Sequence, residues 1–464
     1  MAIDQNKEAL RDYQVEAIDH VIKQHKVILG DEQGLGKTRV CLEVAIKLCQ
    51  DKPRVLVFAP STALGTWKSQ ARKWIDADAI IYSGNTIPEA REALWKDYLV
   101  EKPMFLVATY AMMDEILSKQ LNWPMIIADE YHKAGLMNHK TVTYKNLKRA
   151  YSSVLMLVSG TPAKKGPQDL FAPLHLINPH KFNSYWRYVH THCIVTKGPF
   201  GTSIEGRPAK PTEFKEVIKP YLIRRTKKQV LKELPPIQRQ AIYVDLSTKQ
   251  EKYYAELAGT GTLETPNRLI LCPNEVTKLL RLRQLLVSPR IFGLDDDGGA
   301  IQAMRQLVQD SYDSGRPVTI VTPFRPAVDI IAEALPKTTE EVYKIMGGMK
   351  ESAFDVATAF QQSRRIRRAL IFTITSGVAF DAYASNTCIF VGAEWVASEN
   401  GQAEARVHRL GQRDSVNAYY LLYPDTIDDA ILDRLDERQR AMNWVLRTDE
   451  MIKLLQRQRR SRLS

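Results

Sequence analysis

The sequence predicts an α/β protein of two lobes, each a parallel sheet covered by helices, with a helical insert between them. Three observations predict this. Short, continuously apolar runs alternate with helical periodicity over the first third of the chain; the same alternation resumes after about residue 300; and the stretch between is charged and mostly helical. Such runs are too short for amphipathic helices and suit strands buried on both faces. Their alternation with helices implies a sheet covered on both sides. The length of 464 residues agrees, since one ordinary domain is smaller.

In chain order, Leu10, Tyr13, Gln14, Ala17, Ile18 and Val21 recur at the three-and-four spacing of one helix face. Residues 27–29, 55–58, 105–107, 125–128 and 154–158 are the strand-like runs of a first lobe, expected over 1–220. Residues 221–298 are the expected helical insert and linker, punctuated by Pro235, Pro236 and Pro289. Residues 318–321, 369–372, 388–391 and 419–422 supply the strands of a second lobe, expected over 299–440, with a basic helical tail over 441–464.

Bulk properties exclude several classes. No apolar run reaches the roughly 18 residues that span a bilayer, and the acidic start MAIDQNKEAL is no secretory signal. Cys41, Cys49, Cys193, Cys272 and Cys388 are scattered, which argues against a disulfide framework or a structural zinc site and for a reducing compartment. His190, His192 and Cys193 form the one dense ligand-like cluster, but no second ligand pair sits at zinc spacing, so they read as a loop or helix surface. Net charge is +12, which favours a polyanionic partner.

Gly30 to Thr38 reads GDEQGLGKT, between a strand and a helical stretch. A glycine-rich turn lets backbone N–H groups approach phosphate oxygens, and a helix N-terminus adds positive potential. Gly30, Asp31, Glu32, Gln33, Gly34, Leu35, Gly36, Lys37 and Thr38 are therefore the candidate nucleotide site, with Lys37 reaching the β- and γ-phosphates and Thr38 offering a hydroxyl to Mg²⁺. The usual pattern has Gly where this chain has Asp31. Alone, the loop says only that a nucleotide binds.

Asp129, Glu130, Tyr131 and His132 follow the run 125–128, at a strand end where α/β ligands bind. Asp129 is the expected Mg²⁺ ligand and Glu130 the expected base for water, with His132 placed to relay nucleotide state. Gln402 to Gln412 reads QAEARVHRLGQ, in which Arg406 and Arg409 are spaced to share a helix face. An arginine brought to a reacting phosphoryl group contributes roughly 10³–10⁵ in rate in other nucleotide hydrolases. Without its context the same run suits a solvated basic helix.

Together these motifs closely resemble the SWI/SNF-related branch of the superfamily two helicase-like ATPases, from about residue 10 to residue 435. The resemblance implies RecA-like lobes, ATP and Mg²⁺ as cofactors, and duplex DNA as partner. Leu10-Arg11-Asp12-Tyr13-Gln14 resembles the family's adenine-contacting element, through Gln14. GDEQGLGKT resembles its relaxed phosphate loop, which also carries Asp. The resemblance implies coupling roles for Ser159, Thr161 and Gln402, and DNA contacts at Ser61, Thr109, Arg325 and Thr373. LIRRTKKQVLKELPP (222–236) and LLRLRQLLVSPRIF (279–292) resemble two segments that general unwinding helicases lack.

Two stretches depart from the family. Ser376-Gly377-Val378-Ala379-Phe380-Asp381 lacks two glycines of Gly-Gly-x-Gly-x-Asn and has Asp381 for Asn, a carboxylate that would repel a DNA phosphate. Residues 133–138 depart from Arg-x-Lys-Asn. Basic runs at Arg364, Arg365, Arg367 and Arg368 and over 453–464 suit phosphate contacts or solvated ends.

The resulting expectation is a DNA-stimulated ATPase, a monomeric motor that tracks along duplex DNA. A fork- or branch-remodelling or annealing helicase is the alternative, and an ATP-gated scaffold a further one. No zinc, no membrane and no accessory reader domain are expected. The bare motor suggests a bacterial or viral-host cytoplasm, or a nucleus if the source is eukaryotic.

Overall fold

The computed structural model describes residues 9–49, 54–84, 86–101, 104–120, 122–198, 201–349, 351–374, 380–394 and 397–429. The chain divides into two compact units between Lys232 and Glu233. Each is built on one parallel sheet with helices on both faces.

The first sheet draws on β1 (Lys26–Leu29), β2 (Val55–Ala59), β3 (Ala79–Tyr82), β4 (Phe105–Thr109), β5 (Asn122–Asp129) and β6 (Tyr151–Val158). β7 (Cys193–Gly198) and β8 (Gly201–Pro208) form a separate antiparallel hairpin, and β9 (Leu222–Ile223) returns to the sheet. The strand order is β3-β4-β2-β5-β6-β1-β9, parallel throughout. Successive strand residues point to opposite faces. Leu56 and Phe58 enter one core with Trp95, Tyr98 and Trp123, while Val55 and Val57 enter the other with Val40, Val44 and Trp67. Both faces being buried explains why these strands are continuously apolar.

The second sheet begins with β10 (Ile237–Tyr243); β11 (Thr262–Glu264) and β12 (Leu269–Leu271) form a small antiparallel pair outside it. β13 (Val318–Thr322), β14 (Glu341–Ile345), β15 (Arg368–Thr373), β16 (Thr387–Val391) and β17 (Val416–Leu422) complete it, in the parallel order β10-β17-β16-β13-β15-β14.

The α/β class and the two helix-covered parallel sheets are as the sequence implied. The segment 221–298, expected as a helical insert and linker, is divided between the units. β9 pairs with β1, β10 pairs with β17, and helices Thr248–Thr260 and Glu275–Val287 pack in the second core. The physical reason is that each sheet gains an edge strand from this stretch. Among the described residues no helix is long and apolar enough to cross a membrane. The tail 441–464, residues 376–379 and positions 430 and 431 lie outside the described residues.

Candidate nucleotide site

In an open parallel sheet, ligands bind beyond the carboxyl ends of strands where the connections diverge. β1 and β2 are consecutive in the chain but separated by β6 and β5 in the sheet. The loops leaving β1, β6 and β5 therefore share one edge. Backbone bonds tie them: Ser159 N–H donates to Leu29 O at 3.1 Å, and Tyr131 N–H to Val158 O at 3.3 Å.

The phosphate loop leaves β1 at Gly30 and ends at helix Lys37–Leu48, with Gly34 at φ 83° and Gly36 at φ 76°. At position 36 a Cβ would meet Gln14 Nε2, the movable end of a side chain, and it is the left-handed backbone there that favours glycine. Tyr13 Oη and Gln14 Nε2 donate to Leu35 O at 3.2 and 3.3 Å, which fixes the helix Asp12–Gln24 against the loop. Lys37 Nζ donates to Asp31 O at 2.9 Å and Glu32 O at 3.2 Å. Burial lowers its pKa, against the opposing pull of Glu130 and Asp31. Thr38 follows it in the first helical turn.

Asp31 is buried, and its carboxylate is gripped from 194 residues away. Arg225 gives it Nη2 to Oδ2 at 2.6 Å, Nε to Oδ1 at 3.1 Å and its backbone N–H to Oδ1 at 2.9 Å. Arg224 Nη1 donates to Gly30 O at 2.7 Å, and the Lys227 N–H to Glu32 Oε2 at 2.8 Å. The acid at position 31 thus has a partner in the 222–236 segment. Sequence reading singled out both stretches but not their pairing, because nothing local signals it.

Asp129 closes β5, where its Oδ2 accepts from Trp67 Nε1 at 2.9 Å and its Oδ1 from the Glu130 N–H at 3.0 Å. Burial, then the neighbouring Glu130 charge, pushes its pKa well above the usual carboxylate range. Burial also acts to raise Glu130, but His132 and the Lys37 and Lys133 charges outweigh it and hold that carboxyl below the usual carboxylate range. Glu130 adopts φ 48°, a left-handed conformation uncommon for a side chain of this size. His132 Nδ1 lies 2.7 Å from Ser159 Oγ and 3.1 Å from Glu130 Oε2, and burial lowers its pKa. Ser159 Oγ accepts the Thr161 N–H at 2.8 Å. Gln33 lies against Gly160, where a Cβ would come within 2.5 Å of its Cγ. A buried carboxyl held toward neutrality at a strand end is an oxygen donor that a divalent cation would relieve, so the residues present fit Mg²⁺.

The first unit therefore brings together Gln14, the whole loop from Gly30 to Thr38, Asp129, Glu130, His132, Ser159 and Thr161. Ser61 and Thr109 stand at the same carboxyl edge, just after β2 and at the end of β4; Ser61 is exposed, and Thr109 Oγ1 is buried with no hydrogen-bond partner among the described residues.

Gln402, Arg406 and Arg409 belong to the second unit. Gln402 is buried in helix Ala397–Val407. That helix ends at Val407, so Arg409 lies past it and does not share a helix face with Arg406. The two still converge: Arg406 Nη1 and Arg409 Nη1 donate to Phe380 O at 3.3 and 3.4 Å. Asp381 pairs with Arg409. The carboxylate expected to repel DNA is engaged by an arginine of its own unit. Glu404, which the sequence reading passed over, is buried and accepts both Arg239 Nε and Nη2 at 2.8 Å and Tyr420 Oη at 2.8 Å. Arg325 starts helix Arg325–Glu333 and is exposed, while Thr373 is buried at the end of β15. His190 and His192 end helix Tyr185–His192, where His192 meets the rings of Tyr188 and Phe214. Among the described residues no three His, Cys, Asp or Glu side chains gather as metal ligands.

The family model described as the SNF2-related domain matches residues 13–290. Curated relatives include the mouse chromodomain-helicase-DNA-binding protein 1-like, 24% identical with 94% of this chain and 50% of that one covered. The Arabidopsis thaliana CHD3-type chromatin-remodeling factor CHR7 is 26% identical, over 91% of this chain and 36% of that one. The chain spans half or less of the length of these relatives. Among solved structures, the Sulfolobus solfataricus SWI2/SNF2 ATPase core in complex with dsDNA is 22% identical, with coverage of 94% and 92% and a TM-score of 0.44.

Proposed function

The chain belongs to the SNF2-related family, and on that premise we propose that it is a DNA-stimulated ATPase that couples ATP hydrolysis to translocation along double-stranded DNA. The observation that carries this reading is the convergence of Lys37, Asp129, Glu130, His132 and Ser159 on the carboxyl ends of three adjacent strands. Nucleotide-handling chemistry needs a phosphate cradle, a cation ligand and a base in one place, and these residues supply all three.

In the proposed mechanism the loop N–H groups and Lys37 bind the phosphates, and Gln14 holds the adenine side. Asp129 and Thr38 would hold Mg²⁺, which supplies charge neutralisation at the phosphate oxygens when bound. Glu130, kept ionised by its neighbours, orients water and takes up its proton. His132, touching both Glu130 and Ser159, reports the state of the base to the 159–161 turn. Arg406 and Arg409 are the proposed source of charge for the transferring phosphoryl group.

The DNA-binding names of the relatives support duplex DNA as the activator, with Ser61, Thr109, Arg325 and Thr373 as proposed contacts. Their eukaryotic sources point to a nucleus rather than to the bacterial or viral-host compartment that the bare motor suggested. The scaffold alternative drew on Asp381 alone, and its pairing with Arg409 removes that support.

The test compares steady-state ATPase with single-stranded, duplex and forked DNA. Duplex should raise the rate and forks should add nothing. A fork preference would favour the branch-remodelling reading, and no rise with any DNA would sink the motor. Lys37→Ala and Glu130→Gln should each abolish turnover, Glu130→Gln by about 10²-fold or more; survival of activity in both would refute the site.

A further inference from the structure

Lys37 is not the only cation that Asp31 could attract. The Asp31 backbone carbonyl already accepts the Lys37 ammonium at 2.9 Å, and the carboxylate of the same residue is buried. A carboxylate inside a phosphate loop is chemically adverse in two ways. It repels the phosphates and it competes with them for the lysine. In this chain that carboxylate is filled: the Arg225 guanidinium meets both oxygens in a two-pronged contact, at 2.6 and 3.1 Å, and the Arg225 N–H adds a third bond at 2.9 Å. Arg225 is itself braced. It lies over the Tyr13 ring at 5.4 Å and donates to Tyr13 O, and its carbonyl accepts the Glu32 N–H at 2.9 Å.

We propose that Arg225 is a positioning residue for nucleotide binding: by occupying the Asp31 carboxylate it keeps the Lys37 ammonium available to phosphate, and it fixes the loop to the segment through which the chain leaves the first unit. The proposal deepens the ATPase reading and rests on it. Asp31 and Arg225 then form one device. The acid is tolerated because the arginine neutralises it, and the arginine is anchored because the acid is there. Removing the arginine alone exposes a buried charge beside Lys37, and removing both relieves that competition.

This gives a sign that a purely structural role does not. Dissociation constants for the fluorescent analogue N-methylanthraniloyl-ATP with Mg²⁺ are measured for the full chain, for Arg225→Gln, for Asp31→Asn and for the double variant, alongside KM and kcat for ATP. Arg225→Gln should weaken nucleotide binding by about tenfold, with KM rising more than kcat falls. Adding Asp31→Asn to it should recover most of the loss, so the double variant binds better than the Arg225→Gln single. A double variant equal to or worse than that single overturns the proposal. Circular dichroism and thermal unfolding report whether each variant folds. If Arg225→Gln does not fold, Arg225→Lys, which keeps the charge but lacks the fork, replaces it, and its defect should again shrink with Asp31→Asn. Wild-type protein that binds the analogue but does not hydrolyse ATP would defeat the ATPase reading while leaving the binding comparison decisive for Arg225.

Discussion

At the residue scale, burial raises every enclosed acid, and the neighbours decide whether it stays raised. Glu130 is held low by its neighbours, whereas Asp428 is pushed up to about 7 by burial, with the Tyr423 N–H at 3.1 Å and the Arg283 charge in opposition. A carboxyl raised in the folded state holds its proton there after the unfolded chain has released it. Stability from this group is therefore full below the unfolded pKa of about 4 and is lost as pH rises to about 7. Asp428→Asn keeps the acceptor for Tyr423 and removes the titration. The variant should gain on wild type by about 2–4 kcal/mol between pH 4 and pH 7.5, read by urea unfolding across that range. A pH-independent difference would refute the account. Position 31 shows what was legible at this scale. Sequence alone marked Asp31 as unusual and 222–236 as distinctive, but the bond between them spans 194 residues and leaves no periodic trace. Lys37, Asp129 and Glu130 could be read because strand–loop–helix order is local.

At the scale of elements, the strands divide cleanly. The interior strands β1, β2, β4, β5, β6, β13, β15, β16 and β17 were all visible as apolar runs, because both faces are covered. The four edge strands β3, β9, β10 and β14 were not. Each is only part-covered: β10 reads IQRQAIY and β14 reads EVYKI, with no continuous apolar stretch, whereas β9 is only two residues long and β3, AIIY, is apolar but only four. An edge strand needs fewer apolar residues, so its signal merges with that of loops and surface helices. β10 also shows why an edge matters here. Its Arg239 holds Glu404 of helix Ala397–Val407, and Pro235 O, just before it, lies 2.8 Å from His408 Nε2. Arg239→Ala would strand a buried carboxylate and should cost roughly 3–5 kcal/mol, measured by chemical denaturation. A loss below about 1 kcal/mol, as for an exposed pair, would show that the helix is held by its apolar contacts alone.

At the scale of the whole molecule, the net charge of +12 becomes a statement about conditions. Phosphate contacts release counterions, so the DNA concentration that gives half-maximal ATPase should rise steeply with salt, by about 10³-fold between 50 and 200 mM if six or more phosphates are engaged. A titration at two salt concentrations checks this, and a flat response would argue against backbone contacts. The late position of β9 and Arg225 has a consequence in time as well as in space. A ribosome makes the phosphate loop nearly two hundred residues before the strand beside it and the arginine that neutralises it, which follow only at 222–225. Until then a nascent chain carries the nucleotide motif with its acid uncovered. Competence to hold ATP is thus expected to arrive abruptly during synthesis, as the last piece of the first unit leaves the exit tunnel, and not gradually with length.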